Sequence, residues 1–120
     1  MEILELIGKM LFSTIFIVSG IDHFKNFDGL AGYARAKKLL FADLNVMISG
    51  VVLLVAPVFF VLGFLETLAL ASLAVFLLLT SFIFHPYWEE EDALARLQEK
   101  GAFNRNISLF GAIIVILALI

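Results

Sequence analysis

The stretch VMISGVVLLVAPVFFVLGFL, residues 46–65, decides the fold class of this chain. None of its side chains carries a charge. A helix of this length, rising about 1.5 Å per residue, spans a hydrocarbon core of roughly 30 Å. Pro57 removes one backbone hydrogen bond from such a helix and predicts a packing kink. The stretch is therefore predicted to be a transmembrane helix.

A second uncharged run, residues 67–84, follows almost directly, because Glu66 alone separates it from the first. Two spans so close together predict a tight hairpin near Gly63. Before them, residues 3–21 form a further apolar segment that includes Glu5 and Lys9. These two residues are four positions apart, on one helical face, and are expected to pair or to snorkel to the boundary.

The last apolar run, residues 107–120, covers only about 21 Å as a helix. Its helix is therefore expected to begin near Ala102 or Phe103, which brings Asn104, Arg105 and Asn106 into or close to the interface. Polar side chains at that depth need partners. We predict an all-α integral membrane protein, a single four-helix bundle with spans at about 3–21, 46–65, 67–84 and 103–120. Small residues such as Gly20, Gly50 and Gly111 are expected to let these helices approach closely.

The overall composition agrees with a membrane protein and excludes several functions. Hydrophobic residues make up 62% of the chain and the mean hydropathy is +1.07, beyond what a soluble domain of this size hides. A net charge of -3 gives no basic surface for nucleic acid. Because the chain has no cysteine, disulfides, thiolate metal sites and thiol chemistry of its own are excluded. Acidic flanks at Glu2 and Glu5 predict that the first span is retained rather than cleaved as a signal peptide.

The lysine and arginine residues are distributed unequally between the two sides of the membrane. Lys9 lies alone on one side, and seven basic residues lie on the other, in the connections after spans one and three. By the positive-inside rule, both long connections are predicted to be cytoplasmic and both termini outside. The seven residues are Lys25, Arg35, Lys37, Lys38, Arg96, Lys100 and Arg105.

The two long connections are predicted to form short helices on the membrane surface, at about 27–40 and 92–100. Both combine apolar residues at helical spacing with charged residues. Gly101 is expected to stop the second of these helices. Aromatic residues in both connections suit the interfacial belt: Tyr33, Tyr87 and Trp88.

The two halves of the chain share a similar order of residues. His23 precedes Asn45 by about the same distance as His85 precedes Asn106. Superposing the two asparagines also superposes Ala34–Arg35 on Ala95–Arg96. This pattern suggests a parallel repeat about an axis normal to the membrane, with chance identity as the alternative.

Four short motifs resemble those of the DoxX family: Ser19–Phe24, Gly29–Ala36, Ser49–Gly50 and Phe84–Trp88. The resemblance implies a small four-helix inner-membrane protein. Some members are similar to the small subunit of a thiosulfate:quinone oxidoreductase, others to partners in membrane-associated thiol redox complexes. Many relatives have a glutamate at the opening of helix two, where the nearest polar residues here are Asp43 and Asn45.

Polar residues from both halves are predicted to meet at the cytoplasmic face, where spans one and three end and spans two and four begin. Histidine suits proton exchange near neutral pH, and intramembrane polar groups indicate function. A quinone headgroup fits such a ring, with His23 or His85 bonding its oxygens, Asp22 orienting His23, and Arg105 offsetting charge. The candidate binding residues are Asp22, His23, Asn45, His85, Arg105 and Asn106, with Asp43 and Asn104 beside them.

Several alternatives stay open. His23 and His85 are equally suited to capping helix ends or contacting lipid headgroups, and a dihistidine haem is conceivable. Metal binding by Asp22 and the two histidines lacks any ligand spacing. The leading hypothesis is a non-autonomous subunit of a quinone-linked redox system that acts with a membrane or peripheral redox partner protein. The alternatives are a noncatalytic membrane protein that binds or assembles partner proteins, and a small-solute pathway formed by a homo-oligomer.

Overall fold

The protein, described by a computed structural model over residues 2–120, is almost entirely helical. Helix accounts for 87% of the structure, and no strand occurs in the described residues. A short 3-10 turn at Tyr87–Glu89 precedes the last helix. The helices are α1 (Ile3–Lys25), α2 (Phe27–Ala36), α3 (Ala42–Leu62), α4 (Glu66–Phe84) and α5 (Ala93–Leu119).

Four of the described helical segments are long and apolar enough to cross a membrane. They are α1, α3, α5 and the segment Glu66–Glu89, which contains α4. Large apolar side chains along them stay exposed, such as Leu11 at 71% and Leu68 at 63%. Exposed side chains of this kind need lipid around them. The predicted fold class, all-α with four membrane spans, is confirmed, and the chain is a multi-pass membrane protein.

The chain divides into two compact units, one up to Ser72 and the other Leu73–Ile120. In the first unit, α1 packs against α3, and α2 packs mainly against α3 and also contacts α1. Phe12 of α1 meets Phe60 of α3 edge-on, with ring centroids 5.7 Å apart. Phe60 itself is 2% exposed. This packing of aromatic rings and aliphatic side chains holds α1 and α3 together.

Two glycines lie at close contacts between α1 and α3. A Cβ atom added at Gly20 would lie 2.8 Å from Cδ2 of Leu54. A Cβ atom at Gly50 would lie 2.8 Å from the Phe24 ring and 3.0 Å from Cβ of His23. The expected close approach is found at these two positions. Gly111 differs, because nothing lies within 4 Å of the corresponding point.

In the second unit, the 3-10 turn packs against α5, which is one continuous helix. Asp92 caps this helix by accepting a hydrogen bond from the backbone N–H of Ala95, at 2.9 Å. The predicted surface helix at 92–100 and the predicted span at 103–120 are therefore parts of a single helix. Gly101 does not stop it, because glycine inside a helix costs about 1 kcal/mol, which the continuing backbone hydrogen bonds outweigh.

The other helix bounds also extend beyond the apolar runs. Helix α1 continues through Asp22 and His23 to Lys25, and α3 begins at Ala42. An uncharged run measures the hydrocarbon core, whereas backbone hydrogen bonding continues into the interface. This difference places the polar residues of α1 and α3 on the terminal turns of helices.

The two halves differ in local structure at corresponding positions. Between α2 and α3 the chain leaves the helix at residues 37–41. When Asn45 is superposed on Asn106, this break corresponds to residues 98–102, which are helical. The break contains two non-glycine residues with positive φ, Lys38 at 61° and Phe41 at 52°. The similar order of residues in the two halves therefore does not extend to their local backbone.

Candidate functional site

His23 lies on the last turns of α1 and is half-buried. Its Nδ1 is 2.7 Å from the carbonyl oxygen of Ser19, one helical turn earlier. A carbonyl oxygen only accepts, so Nδ1 is the donor in this bond. The backbone of α1 thus orients the ring. Its neighbour Asp22 is exposed, and orientation of His23 by Asp22 stays a prediction.

Asn45 lies in the first turn of α3 and holds the preceding turn of the chain. Its Nδ2 donates to the carbonyl oxygens of Leu40 at 2.8 Å and Phe41 at 3.2 Å. Both amide protons are therefore used within the protein, and the side-chain oxygen is what Asn45 has to offer another group. Nearby, Asp43 accepts a hydrogen bond from Arg35 at 2.6 Å, which ties α2 to the start of α3.

His85 follows the last residue of α4 and is paired with Glu99 of α5. Nδ1 of His85 is 2.6 Å from Oε2 of Glu99. The two side chains are 21% and 27% exposed, so water is largely but not wholly excluded. With Nδ1 donating to the carboxylate, Nε2 accepts a proton when the ring is neutral and donates one when it is protonated. The pair combines a proton-exchanging group with a carboxylate that orients it.

Aromatic rings from three successive elements gather around Phe103 of α5, and we call them the aromatic cluster. The centroid of the Phe103 ring lies 5.4 Å from Phe82, 5.4 Å from Tyr87 and 5.5 Å from Trp88. The contacts are edge-on, the arrangement that aromatic quadrupoles favour. Lys100 places its ammonium 5.7 Å from the centroid of Tyr87. The cluster therefore holds the chain on both sides of His85, because Phe82 precedes this histidine and Tyr87 and Trp88 follow it.

Arg105 and Asn106 contact each other directly within α5. Nε of Arg105 donates to Oδ1 of Asn106 at 3.2 Å. Asn106 is 5% exposed, whereas Arg105 is exposed. The arginine thus satisfies one polar atom of a buried amide, which hydrocarbon surroundings would otherwise make costly.

The candidate residues fall into two groups, each described within its own unit. The first unit contains Asp22, His23 and Asn45; the second contains His85, Arg105 and Asn106. Within the second unit, Glu99 is a residue that the sequence reasoning missed. Glu99, Asn106 and Ile113 recur at seven-residue spacing, which places them on one helical face, and Asn106 and Ile113 are buried. Had α5 been recognised as continuous, this spacing would have singled out Glu99.

A separate charged group lies on α1 and the hairpin between α3 and α4. Nζ of Lys9 is 3.3 Å from Glu5 and 3.2 Å from Glu66, and it lies 5.1 Å from the centroid of Phe60. The predicted pairing of Lys9 with Glu5 is confirmed. Glu66, the less exposed of the two acidic partners at 26% against 52%, was missed. Its position, 57 residues from Lys9, gives no local signal.

We also searched the described side chains for a possible metal site. Within residues 2–120 no group of three or more His, Asp or Glu side chains is placed to hold a metal ion.

Comparison with known proteins identifies a family to which the chain is similar. The family model described as DoxX matches residues 4–86, more than half of the chain. The matched part includes nearly all of α1 and the whole of α2, α3 and α4, and it reaches the histidine that pairs with Glu99. No curated protein and no solved structure matches the chain.

Proposed function

The chain belongs to the DoxX family, and on that basis we propose that it is a non-autonomous subunit of a quinone-linked redox system in the cell inner membrane. The observation that carries this proposal is the His85–Glu99 pair, with 2.6 Å between Nδ1 and Oε2, beside the aromatic cluster. Proton-exchanging groups at a membrane boundary are functional candidates by default.

The chemistry of these groups fits a quinone headgroup. A quinone supplies reversible uptake of electrons and protons at two ring oxygens. His85 offers Nε2 as donor or acceptor to such an oxygen, and Glu99 fixes the orientation of the imidazole through Nδ1. The exposed ring of Trp88, 47% accessible, offers a flat apolar surface for the headgroup.

The remaining candidate residues have supporting roles in the proposal. His23 is a second proton-exchanging group on α1, with Asp22 beside it. Arg105 offsets negative charge that develops on a bound headgroup, and Asn106 holds the Arg105 side chain through its Oδ1. Asn45 contributes its side-chain oxygen, since its amide protons are bonded to the backbone.

The chain is proposed to need a partner for its redox function. It has no cysteine and so offers no thiol through which electrons pass. A membrane or peripheral partner protein would deliver them. With seven basic residues in the two long connections, the positive-inside rule supports cytoplasmic connections and external termini. A partner that contacts His85 would then approach from the cytoplasm.

The test is binding of a short-chain ubiquinone by the purified full-length protein. We expect H85A and H23A each to weaken binding about tenfold, and E99Q to weaken it less, because it keeps a hydrogen-bonding group without the charge. E91Q, a change of the same kind at an exposed residue of the same connection, serves as the matched control and is expected to bind normally.

Thermal unfolding of each variant separates loss of binding from loss of fold. Unchanged ubiquinone binding in both histidine variants, with the fold intact, would contradict the proposed site.

A second candidate function, assembly of partner proteins without catalysis, is favoured by the beginning of α5. Leu94 and Leu97 are 63% and 67% exposed in a segment that precedes the apolar run. Exposed apolar residues outside a span suit contact with a partner. In this case a partner should co-purify and be lost when residues 27–40 or 92–100 are changed, with ubiquinone binding absent throughout.

A further inference from the structure

The turn between α2 and α3 carries exposed apolar side chains beside lysines, at the point where a membrane span begins. Leu40 is 78% exposed and Phe41 is 76% exposed. Because α3 begins at Ala42, both side chains lie at the end of the span rather than along its side. We call the following residues the exposed turn: Lys37, Lys38, Leu40 and Phe41.

The backbone of the exposed turn is held in place by the fold. Lys38 and Phe41 have φ values of 61° and 52°, in the left-handed region that non-glycine residues seldom adopt. The side chain of Asn45 donates to the carbonyl oxygens of Leu40 and Phe41, at 2.8 Å and 3.2 Å. These bonds fix the conformation in which the two apolar side chains project away from the protein.

The lysines of the exposed turn carry uncompensated positive charge. Arg35 is neutralised by Asp43, at 2.6 Å. Lys37 lies 5.6 Å from the centroid of the Tyr33 ring, and no ion pair involves Lys37 or Lys38 in the part of the chain that the structure describes. The turn therefore presents two cationic groups next to two large apolar groups.

We propose that the exposed turn binds an anionic phospholipid of the bilayer in which the protein lies. Leu40 and Phe41 insert among the acyl chains, and the ammonium groups of Lys37 and Lys38 contact the headgroup phosphate. A lysine near an anionic membrane surface contributes roughly a fivefold gain in affinity, and burial of apolar side chains adds to it.

The position of the exposed turn indicates that its ligand is a lipid. The turn is continuous with α3, a span that lipid already surrounds, so its apolar side chains enter the same hydrocarbon layer without leaving the protein's own membrane. The adjoining positive charge complements anionic headgroups. Zwitterionic lipids offer the same acyl chains but no net charge. They can therefore contact Leu40 and Phe41 but do not neutralise the two lysines.

The first experiment measures lipid retained by the purified full-length protein. Phosphatidylglycerol and phosphatidylcholine with identical acyl chains are supplied in mixed micelles, and bound lipid is counted by native mass spectrometry. We expect the wild-type protein to prefer phosphatidylglycerol, and the double variant K37Q/K38Q to lose that preference by roughly tenfold or more.

The double variant R96Q/K100Q is the matched control, because it removes the same charge from the other connection. Retention of phosphatidylglycerol within about twofold of wild type in this control supports a specific site. Equal losses in both double variants would show general attraction to the net charge and overturn the proposal. It would likewise be overturned if K37Q/K38Q kept the preference or lost a co-purifying protein instead of lipid.

A second measurement tests insertion of the apolar side chains independently of charge. Trp88 is the only tryptophan, so F41W in a W88F background places the single indole in the exposed turn. In bilayers containing phosphatidylcholine brominated on the acyl chains, we expect strong quenching of this tryptophan. Fluorescence that brominated lipid leaves unquenched would place residue 41 outside the hydrocarbon layer and overturn the proposal.

Discussion

At the scale of single residues, two glycines determine how closely α1 and α3 pack. The space beside Gly20 is filled by Leu53 and Leu54, and the space beside Gly50 by Phe24 and His23. A methyl group at either position requires movement of these neighbours. Because the Cβ of His23 is one of the contacting atoms, packing at Gly50 also positions a candidate binding residue.

The substitution G20A is predicted to destabilise the protein by about 1–3 kcal/mol, since the added methyl group overpacks the contact between α1 and α3. The measurement is unfolding of the purified protein by denaturing detergent in mixed micelles. G8A, on the same helix, is the matched control: nothing lies within 4 Å of its added atom, and it should stabilise by about 0.5–1 kcal/mol. Equal effects of the two substitutions would contradict the packing described for Gly20.

Sequence reasoning identified the residue types at the candidate site but not all of their partners. Small residues are recognisable in any apolar helix, yet Gly20 is packed and Gly111 faces open space, because the sequence does not say which helical face is used. His85 was recognised from its place after an apolar run. Its partner Glu99 was missed because the helix was predicted from the apolar run at residues 107–120, whereas α5 begins at Ala93.

At the scale of helices, Lys9 links α1 to the hairpin between α3 and α4. Its side chain is 11% exposed and contacts Glu5 on its own helix and Glu66 at the beginning of α4. A charged group so little exposed needs nearby opposite charge. The hairpin supports this contact through Gly63, whose φ of 75° reverses the chain after α3.

We predict that E66Q lowers stability by about 1–3 kcal/mol, because it leaves the lysine with the more exposed of its partners. E5Q, which removes that exposed partner, should cost at most about 1 kcal/mol. The same detergent unfolding assay compares them.

The double variant K9M/E66L removes both charges together and is expected to restore most of the stability lost in E66Q. Failure of the double variant to recover would indicate that the two residues do not act as a pair.

At the scale of the whole molecule, the basic residues predict the orientation in the membrane. A reporter fused after Ile120 is expected to read as external, and one inserted in the connection between α4 and α5 as cytoplasmic. A truncated chain that lacks α5 but ends in the same reporter should reverse the first reading. A cytoplasmic signal from the full-length fusion would contradict the orientation.

The number of spans followed from hydropathy, because the hydrocarbon core demands about twenty apolar residues and few other segments supply them. The bounds and continuity of the helices did not follow. They depend on backbone hydrogen bonding and on caps such as Asp92, which act outside the hydrocarbon core. The sequence therefore predicted what crosses the membrane better than what happens at its surface.

Helix α5 has a mechanical consequence. Its 27 residues make a rod of about 40 Å without a proline, longer than the hydrocarbon core is thick. Glu99 near one end and Ile113 nearer the other belong to the same rod, so a displacement of Glu99 outside the bilayer is expected to be accompanied by a displacement of the residues inside it. At the corresponding position the first half has a break in the helix at residues 37–41, so α2 is joined to α3 by a fixed turn and by the ion pair of Arg35 with Asp43. The two halves therefore reach the membrane surface differently, one through a continuous helix and the other through a turn held by side-chain contacts.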